Sequence, residues 1–355
     1  MKTLAAALLA LVALFFCACS EDEAPLAPVT PAPATRYVNA DTGDDDNPGT
    51  TGQPWATVTH AVGTAAEDVT IHVAPGTYSV ATGEVFPIMM KAGQVLLGDV
   101  ANKGMGTVET RIQGDGVYAL EQMEGAAIVG AEGARIAGFV IVGEINPLFY
   151  GGIAVDSVAM EIDNNTFTLS YAGVISGNGA GPDVHDNTFS NISYGLFMDL
   201  SAGAIVHNND ISSSSTGIRI HNATDCTIEF NTIRAGVIGV SASGAGVAAV
   251  IRNNSFNPPG DYTYGAIDVF NGSPLIRNNT FTHGPALWVR FTGTPDMGTA
   301  ANAGGNDMTA ISGTVIQHDG SQQVTAFGND WAVEPPTATE IVITGAGTVL
   351  TEWRP

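Results

Sequence analysis

Short apolar runs alternate with polar residues along most of this chain, and they return at a fixed interval. An aliphatic residue at Ile162, Val184, Val206, Ile228, Ile251 and Ile276 stands three places before an asparagine and five before a Phe or Ile. The asparagines Asn165, Asn187, Asn209, Asn231, Asn254 and Asn279 follow one another at 22, 22, 22, 23 and 25 residues, with weaker copies at Asn306 and Asn329. A second column, Gly173-Val174, Gly195-Leu196, Gly217-Ile218 and Gly239-Val240, repeats at 22, 22 and 22. Brief β-branched runs punctuated by Gly and Asn predict short strands joined by bends, and no helical period runs through them.

A unit of about 22 residues cannot bury its apolar face alone. Stacking such units at the ~4.8 Å spacing of hydrogen-bonded strands makes a continuous core and piles equivalent side chains on one another. The chain is therefore expected to be all-β, a parallel β-solenoid in which stacked asparagines bond along a column. Val58, Ala61, Val62 and Ala65 fall at helical spacing within Trp55 to Ala66, which predicts a short helix covering the open first coil. Ile341-Val342-Ile343 and Thr348-Val349-Leu350 are expected to close the other end.

Composition narrows the function. The 35 acidic residues against 12 Lys and Arg give a formal charge of −23, which excludes a protein that binds nucleic acid by neutralising phosphates. Lys2 followed by the apolar run from Leu4 to Phe16 has the layout of an export signal too short to span a bilayer. The run Phe16-Cys17-Ala18-Cys19-Ser20 resembles a bacterial lipoprotein signal, with Cys19 after the small Ala18 as the lipidated residue. The expected organisation is a signal peptide at 1–18, an acidic and Pro-Ala-rich tether at 19–35, and one β-helix body at 36–355 with regular coils over about 150–333. This places the protein in the bacterial cell envelope, held to the membrane through its lipid alone. Apart from Cys17 and Cys19 only Cys226 remains, so no intramolecular disulfide is expected; Cys226 shares a column with Ala204 and Ala249 and reads as a small buried residue.

The stretch Tyr37-Val38-Asn39, Gly43, Asn47-Pro48-Gly49-Thr50, Gln53-Pro54-Trp55, Thr57-Val58 and Val73-Ala74-Pro75-Gly76-Thr77-Tyr78 resembles a domain of unknown function at the start of bacterial right-handed parallel β-helix proteins of the pectin-lyase-like superfamily. The Asn-Thr-Phe repeats are similar to the coils of that superfamily. The resemblance implies a right-handed helix; it leaves activity open, because enzymes, adhesins and uncharacterised surface proteins share such coils. Lyases on this fold would imply proton abstraction from a uronate by Lys or Arg beside Ca²⁺. Beyond the signal, Lys91 and Lys103 are the only lysines and both precede the regular coils, so no family catalytic residue carries over.

Function is sought on outward positions. The row Asp163, His185, His207, Glu229, Arg252 and Arg277 stands two places before the ladder asparagines. Imidazole and carboxylate together suit a divalent metal, yet charge compensation between coils explains a straight row, and no metal is assigned there. A second row follows the Gly-aliphatic strand: Ala154, Ile175, Phe197, Arg219, Ser241, Asp268 and Trp288, then Asp156, Gly177, Asp199, His221, Ser243, Phe270 and Arg290, with Tyr150, Tyr171, Tyr194 and Tyr264 before it. Asp199, Arg219 and His221 bring an acid, a cation and a base together as candidate catalytic residues. Tyr171, Tyr194, Phe197, Asp268, Trp288 and Arg290 are candidate sugar-binding residues, and the Pro-rich insertions at Asn257 to Tyr262 and Thr294 to Asp296 are expected to wall the groove near Trp288. The acidic stretch Asp41, Asp44, Asp45, Asp46 and Asn47 offers oxygens for Ca²⁺ but reads as a solvated turn.

Three functions follow from these rows. The first is an anchored, monomeric surface protein that binds extended polysaccharide. The second is a polysaccharide lyase or hydrolase working through Asp199, Arg219 and His221. The third is a non-catalytic structural or adhesive spacer whose charge keeps it soluble.

Overall fold

The computed structural model describes residues 34–351 apart from 121, 144–149 and 245. The expected signal peptide, Cys19 and all but the end of the tether lie outside the described residues. Among the described residues no helix is long and apolar enough to cross a membrane.

The expected register is the observed one. Ile162 pairs in parallel with Val184, and the column continues through Val206, Ile228, Ile251 and Ile276; all six are fully buried. Ten such strands, from Thr35–Val38 to Leu275–Arg277, form one sheet of a parallel β-solenoid. A second, 19-stranded sheet carries the Thr-Phe and Gly-aliphatic strands, with Val174, Leu196, Ile218, Val240, Ile267 and Leu287 in line inside the tube. Phe167 stacks on Phe189 at 4.8 Å and Phe256 on Phe281 at 4.9 Å. Each such fully buried side chain contributes roughly 1.5–3 kcal/mol of burial energy.

The asparagine column is a hydrogen-bonded ladder from Asn165 to Asn329. At Asn187, Nδ2 donates to Oδ1 of Asn209 at 3.1 Å and to the carbonyls of Ile162 and His185, both at 2.8 Å. Its Oδ1 accepts from the backbone and side-chain amides of Asn165. One buried amide thus satisfies the corner of its own coil and parts of two neighbours. The residue just before each ladder asparagine is left-handed: Asn164, Asp186, Asn208, Phe230, Asn253, Asn278, Gly305 and Gly328. Asn, Asp and Gly tolerate that corner; Phe230 does not, and it stands exposed. The Gly column has a different cause: a Cβ on Gly217 would lie 2.6 Å from the carbonyl oxygen of Gly239 in the next coil.

The first coil is covered by the helix Val58–Thr64, which buries Val58, Ala61 and Val62. Its ends are completed by side chains from elsewhere. Thr57 and the buried Glu84 accept its first amides, with Glu84 bonding Val58 N at 2.7 Å and Thr59 N at 2.8 Å. Lys91 Nζ donates to Ala65 O at 2.7 Å and Gln94 to Val62 O. Acid meets the amide end and ammonium the carbonyl end, as the orphan groups and dipole of a helix require. The acidic turn before the helix is structural too: Asp45 accepts from Ala56 N, Thr57 N and Thr57 Oγ1. At the far end Ile341–Ile343 and Thr348–Leu350 add the last described strands to the stack.

Cys226 is buried, its thiol pushed up to about 11 by burial, which removes it as a nucleophile.

Candidate functional site

The Gly-aliphatic strands bring the second row together as the spacing requires. Asp199 pairs with His221 and Phe197 with Arg219 on adjacent coils. The exposure of this row differs from expectation at its early end. Ala154, Ile175 and Phe197 are buried, in a second apolar cluster with Leu120, Met123, Ala126 and Val129. The strand Gly116–Leu120 folds back antiparallel on Met123–Val129 and brings Leu120 into this cluster, while Phe197 lies against the Tyr194 ring and under Arg219. No repeat announces that strand, because it interrupts the coil pattern.

Phe197 is therefore a floor and not a platform. Tyr171 and Tyr194 rim it, with ring centroids 5.2 Å apart, and the Arg219 guanidinium lies over the Phe197 ring at 4.5 Å. Burial and the neighbouring Tyr194 push the Tyr171 hydroxyl up to about 12, with Arg219 opposing. Asp199 is buried, and no ion pair joins it to His221 among the described residues. His221 instead bonds Ser243 through Nδ1 at 2.9 Å. The three candidate catalytic residues share one face, but the acid and the base are not joined, because adjacent side chains on a ladder can each turn to another neighbour.

Farther up the same face the groups converge. Arg290 binds Asp268 through Nε–Oδ1 at 2.8 Å and Nη2–Oδ2 at 2.7 Å. Its guanidinium also lies 4.8 Å from the Tyr264 ring and 5.3 Å from that of Trp288, and these two rings are 5.4 Å apart. Trp288 Nε1 donates to Asp319 Oδ2 at 2.7 Å. Asp319 also accepts from Gln317 and Thr344; burial pushes its carboxyl up, but the Thr344, Gln317 and Trp288 donors and the Arg290 charge hold it below the ordinary range. Sequence reasoning missed Asp319 because the next coil is longer: Trp288 pairs with Gln317, 29 residues on. Matching Leu287-Trp288-Val289 to Ile316-Gln317-His318 would have found it.

The insertions behave differently from each other. In the first, Tyr262 is buried against the core and Asp261 accepts from Gly284 N. The second does not wall the groove. Asp296 pairs with Leu275 and binds Arg277 at 2.8 Å, on the ten-stranded sheet, because it continues the column of the aliphatic strand and not that of Trp288.

The ladder row forms a chain of ion pairs. Arg135 holds Asp163 at 2.8 and 2.7 Å and approaches Glu161 at 3.3 Å. His185 lies 3.2 Å from Glu161 and 2.8 Å from Asp186, and His207 3.1 Å from Asp183. The two imidazoles stack at 4.7 Å. Burial opposes a charge on His185, but Asp186, Asp183, Glu161 and Asp163 outweigh it and raise its pKa. On the next coils Glu229 binds Arg252 at 2.7 Å.

Several solved structures align with this chain. The catalytic unit of a GH87 alpha-1,3-glucanase from Streptomyces thermodiastaticus strain HF3-3 aligns with a TM-score of 0.53 at 16% identity, over 92% of this chain and 72% of that one. A GH136 lacto-N-biosidase from Eubacterium ramulus gives 0.49 at 9% identity, over 90% and 67%. An alginate lyase from Paenibacillus sp. str. FPU-7 gives 0.45 at 14%, over 89% and 98%. At 16% identity the likeness to the glucanase is one of fold. No curated protein matches the sequence. The model of a protein family of unknown function, DUF1565, matches residues 41–338, and the chain belongs to that family.

Proposed function

We propose that this protein binds an extended polysaccharide along the outer face of the Gly-aliphatic strands. The observation that carries this reading is the Tyr264–Trp288–Arg290 cluster. It offers two aromatic rings and a guanidinium already held in place by Asp268 and Asp319. Aromatic faces suit the apolar faces of sugar rings, and a bidentate-held guanidinium is a preorganised donor for hydroxyl or carboxylate oxygens. A rod with one such face along its axis suits a linear chain better than a compact ligand. The fold is also that of a glucanase, which agrees with a carbohydrate partner.

Binding without cleavage is favoured because His221 bonds Ser243 and, among the described residues, forms no ion pair with Asp199, so no carboxylate orients the imidazole as a base. The test is a screen of the protein against acidic and neutral glycans for retention and for chain shortening. Binding predicts retention weakened at least tenfold by Trp288→Ala and unchanged by Asp199→Ala. Chain shortening lost in His221→Ala would establish the lyase or hydrolase instead, and no retention by any glycan would leave the spacer. We further propose that the protein is exported and anchored through Cys19, on the strength of Lys2, the Leu4 to Phe16 run and Ala18-Cys19. Loss of a lipid adduct in Cys19→Ser, read by mass spectrometry, tests that.

A further inference from the structure

We propose that Asp183, His185 and His207 form a binding site for a borderline first-row divalent cation, with Zn²⁺ as the reference ion. The site lies on the ten-stranded sheet and is independent of the polysaccharide reading.

Two adjacent strands, Asp183–His185 and Ile205–His207, place His185 opposite His207, and their inward residues Val184 and Val206 are fully buried. The backbone positions of all three ligands are therefore fixed by the core. Donor atoms from the three side chains lie within 4.8 Å of one another. Ligands on a tetrahedral zinc stand about 3.3 Å apart, given metal–ligand bonds of about 2.0–2.2 Å. The His207 Nε2–Asp183 Oδ1 separation of 3.1 Å already meets that, and the third donor, on His185, lies within 4.8 Å of both. Both rings keep some solvent access, at 18% and 26% exposure, so an ion can enter.

Charge supplies the second argument. Glu161, Asp163, Asp183 and Asp186 surround the two rings, and Arg135 is the one cation paired with them among the described residues. Four carboxylates against one guanidinium leave a deficit that protons on the imidazoles or a metal ion can fill. Protons and metal compete for the same nitrogens. Of the remaining ring nitrogens, His185 Nδ1 faces the Asp186 carboxylate at 2.8 Å, a partner suited to a loaded site, whereas His207 Nδ1 faces Asn208 Nδ2 at 3.0 Å, so loading requires that amide to flip. A carboxylate or amide oxygen accepting from Nδ1–H orients the ring for coordination through Nε2, with the Asn208 amide turned to present its oxygen. Two imidazoles select zinc, nickel or copper over Ca²⁺ and Mg²⁺, which take oxygen ligands.

The test uses the full chain without a histidine tag, stripped of metal and titrated calorimetrically with ZnCl₂. We expect about one ion per chain with micromolar or tighter affinity, weakened at least tenfold in His185→Gln and in His207→Gln. Glu229→Gln, one coil away, leaves it unchanged. Circular dichroism checks that the variants fold, and Co²⁺ on the unaltered protein shows intense tetrahedral d–d bands if nitrogen ligands bind it. Zinc affinity in both histidine variants equal to that of the unaltered protein, the weak absorbance of an all-oxygen octahedral Co²⁺ site, or equal competition by Ca²⁺ overturns the proposal.

Discussion

Arg290 grips Asp268 with two parallel bonds of 2.8 and 2.7 Å across one step of the ladder, while the carboxylate itself is almost completely buried. Burial raises the Asp268 pKa above the ordinary carboxylate range, and the bonds and charge of Arg290 offset this only in part. A carboxyl raised on folding contributes stability that is complete below its unfolded pKa and is lost as pH rises through its folded one. At neutral pH the ionised Asp268 is thus a cost to the fold, and Arg290 limits it. Buried pairs of this kind are weak stabilisers but costly to break.

Arg290→Met should therefore destabilise by about 2–3 kcal/mol at pH 7, a figure discounted for the partial exposure of Arg290. The deficit should shrink as pH falls from 7 into the acid range and Asp268, its pKa raised by burial, takes a proton. The double variant Asp268→Asn/Arg290→Met should melt at or near the temperature of the unaltered protein. Thermal unfolding followed by circular dichroism across that pH range decides the matter; a deficit that does not change with pH would contradict the account.

Asn209→Ala should cost more than about 3 kcal/mol, because several buried partners lose their bonds at once and each orphan costs about 1–3 kcal/mol. Asn209 donates to Val184 O, His207 O and Asn231 Oδ1 and accepts from Asn187 N and Nδ2. Asn329→Ala should cost less, since that amide accepts from Asn306 N and Nδ2 but donates, among the described residues, only to Met297 O. Urea denaturation of both variants gives the comparison, and equal costs would show that the ladder does not act as argued.

Glycine is required at one place and wasteful at another. Gly217→Ala forces a methyl to within 2.6 Å of a neighbouring backbone oxygen and should cost upwards of about 3 kcal/mol. Gly63 lies within the helix Val58–Thr64, where an added Cβ meets nothing within 4 Å, so Gly63→Ala should stabilise by roughly 0.5–1 kcal/mol. Melting temperatures that move in the same direction for both would refute this distinction.

Phe230→Asn should raise stability by about 1 kcal/mol. Its backbone has φ 56°, a conformation that costs a bulky L-residue about 1–2 kcal/mol. The ring is exposed, so little burial is lost. Four of the equivalent corners already carry asparagine, at 164, 208, 253 and 278. A lower midpoint in this variant would mean that the ring makes a contact worth more than the strain.

The coil period was legible because a solenoid converts sequence distance directly into height: Ile162, Val184 and Val206 align in space for the reason that they align in the repeat. The face carrying Asp199, Arg219, His221, Asp268, Trp288 and Arg290 was legible for the same reason. Three things were not. Phe197 is buried against the Tyr194 ring and under the Arg219 guanidinium, in a cluster that Leu120 joins from a segment without a repeat. Asp319 joins Trp288 across a coil of a different length. Asp296 belongs to the column of the other sheet.

Taken by itself, the chain's pattern of aliphatic, asparagine and glycine positions determined the parallel stack, its turn length and which side chains share a row, because neighbouring rungs can pair in only one register when one face must be buried. Which members of a row touch was decided only in three dimensions. Side chains one rung apart choose among several partners, so His221 turns to Ser243, Arg219 to Phe197 and Arg290 to Asp268, and that choice depends on local burial and charge that no repeat encodes.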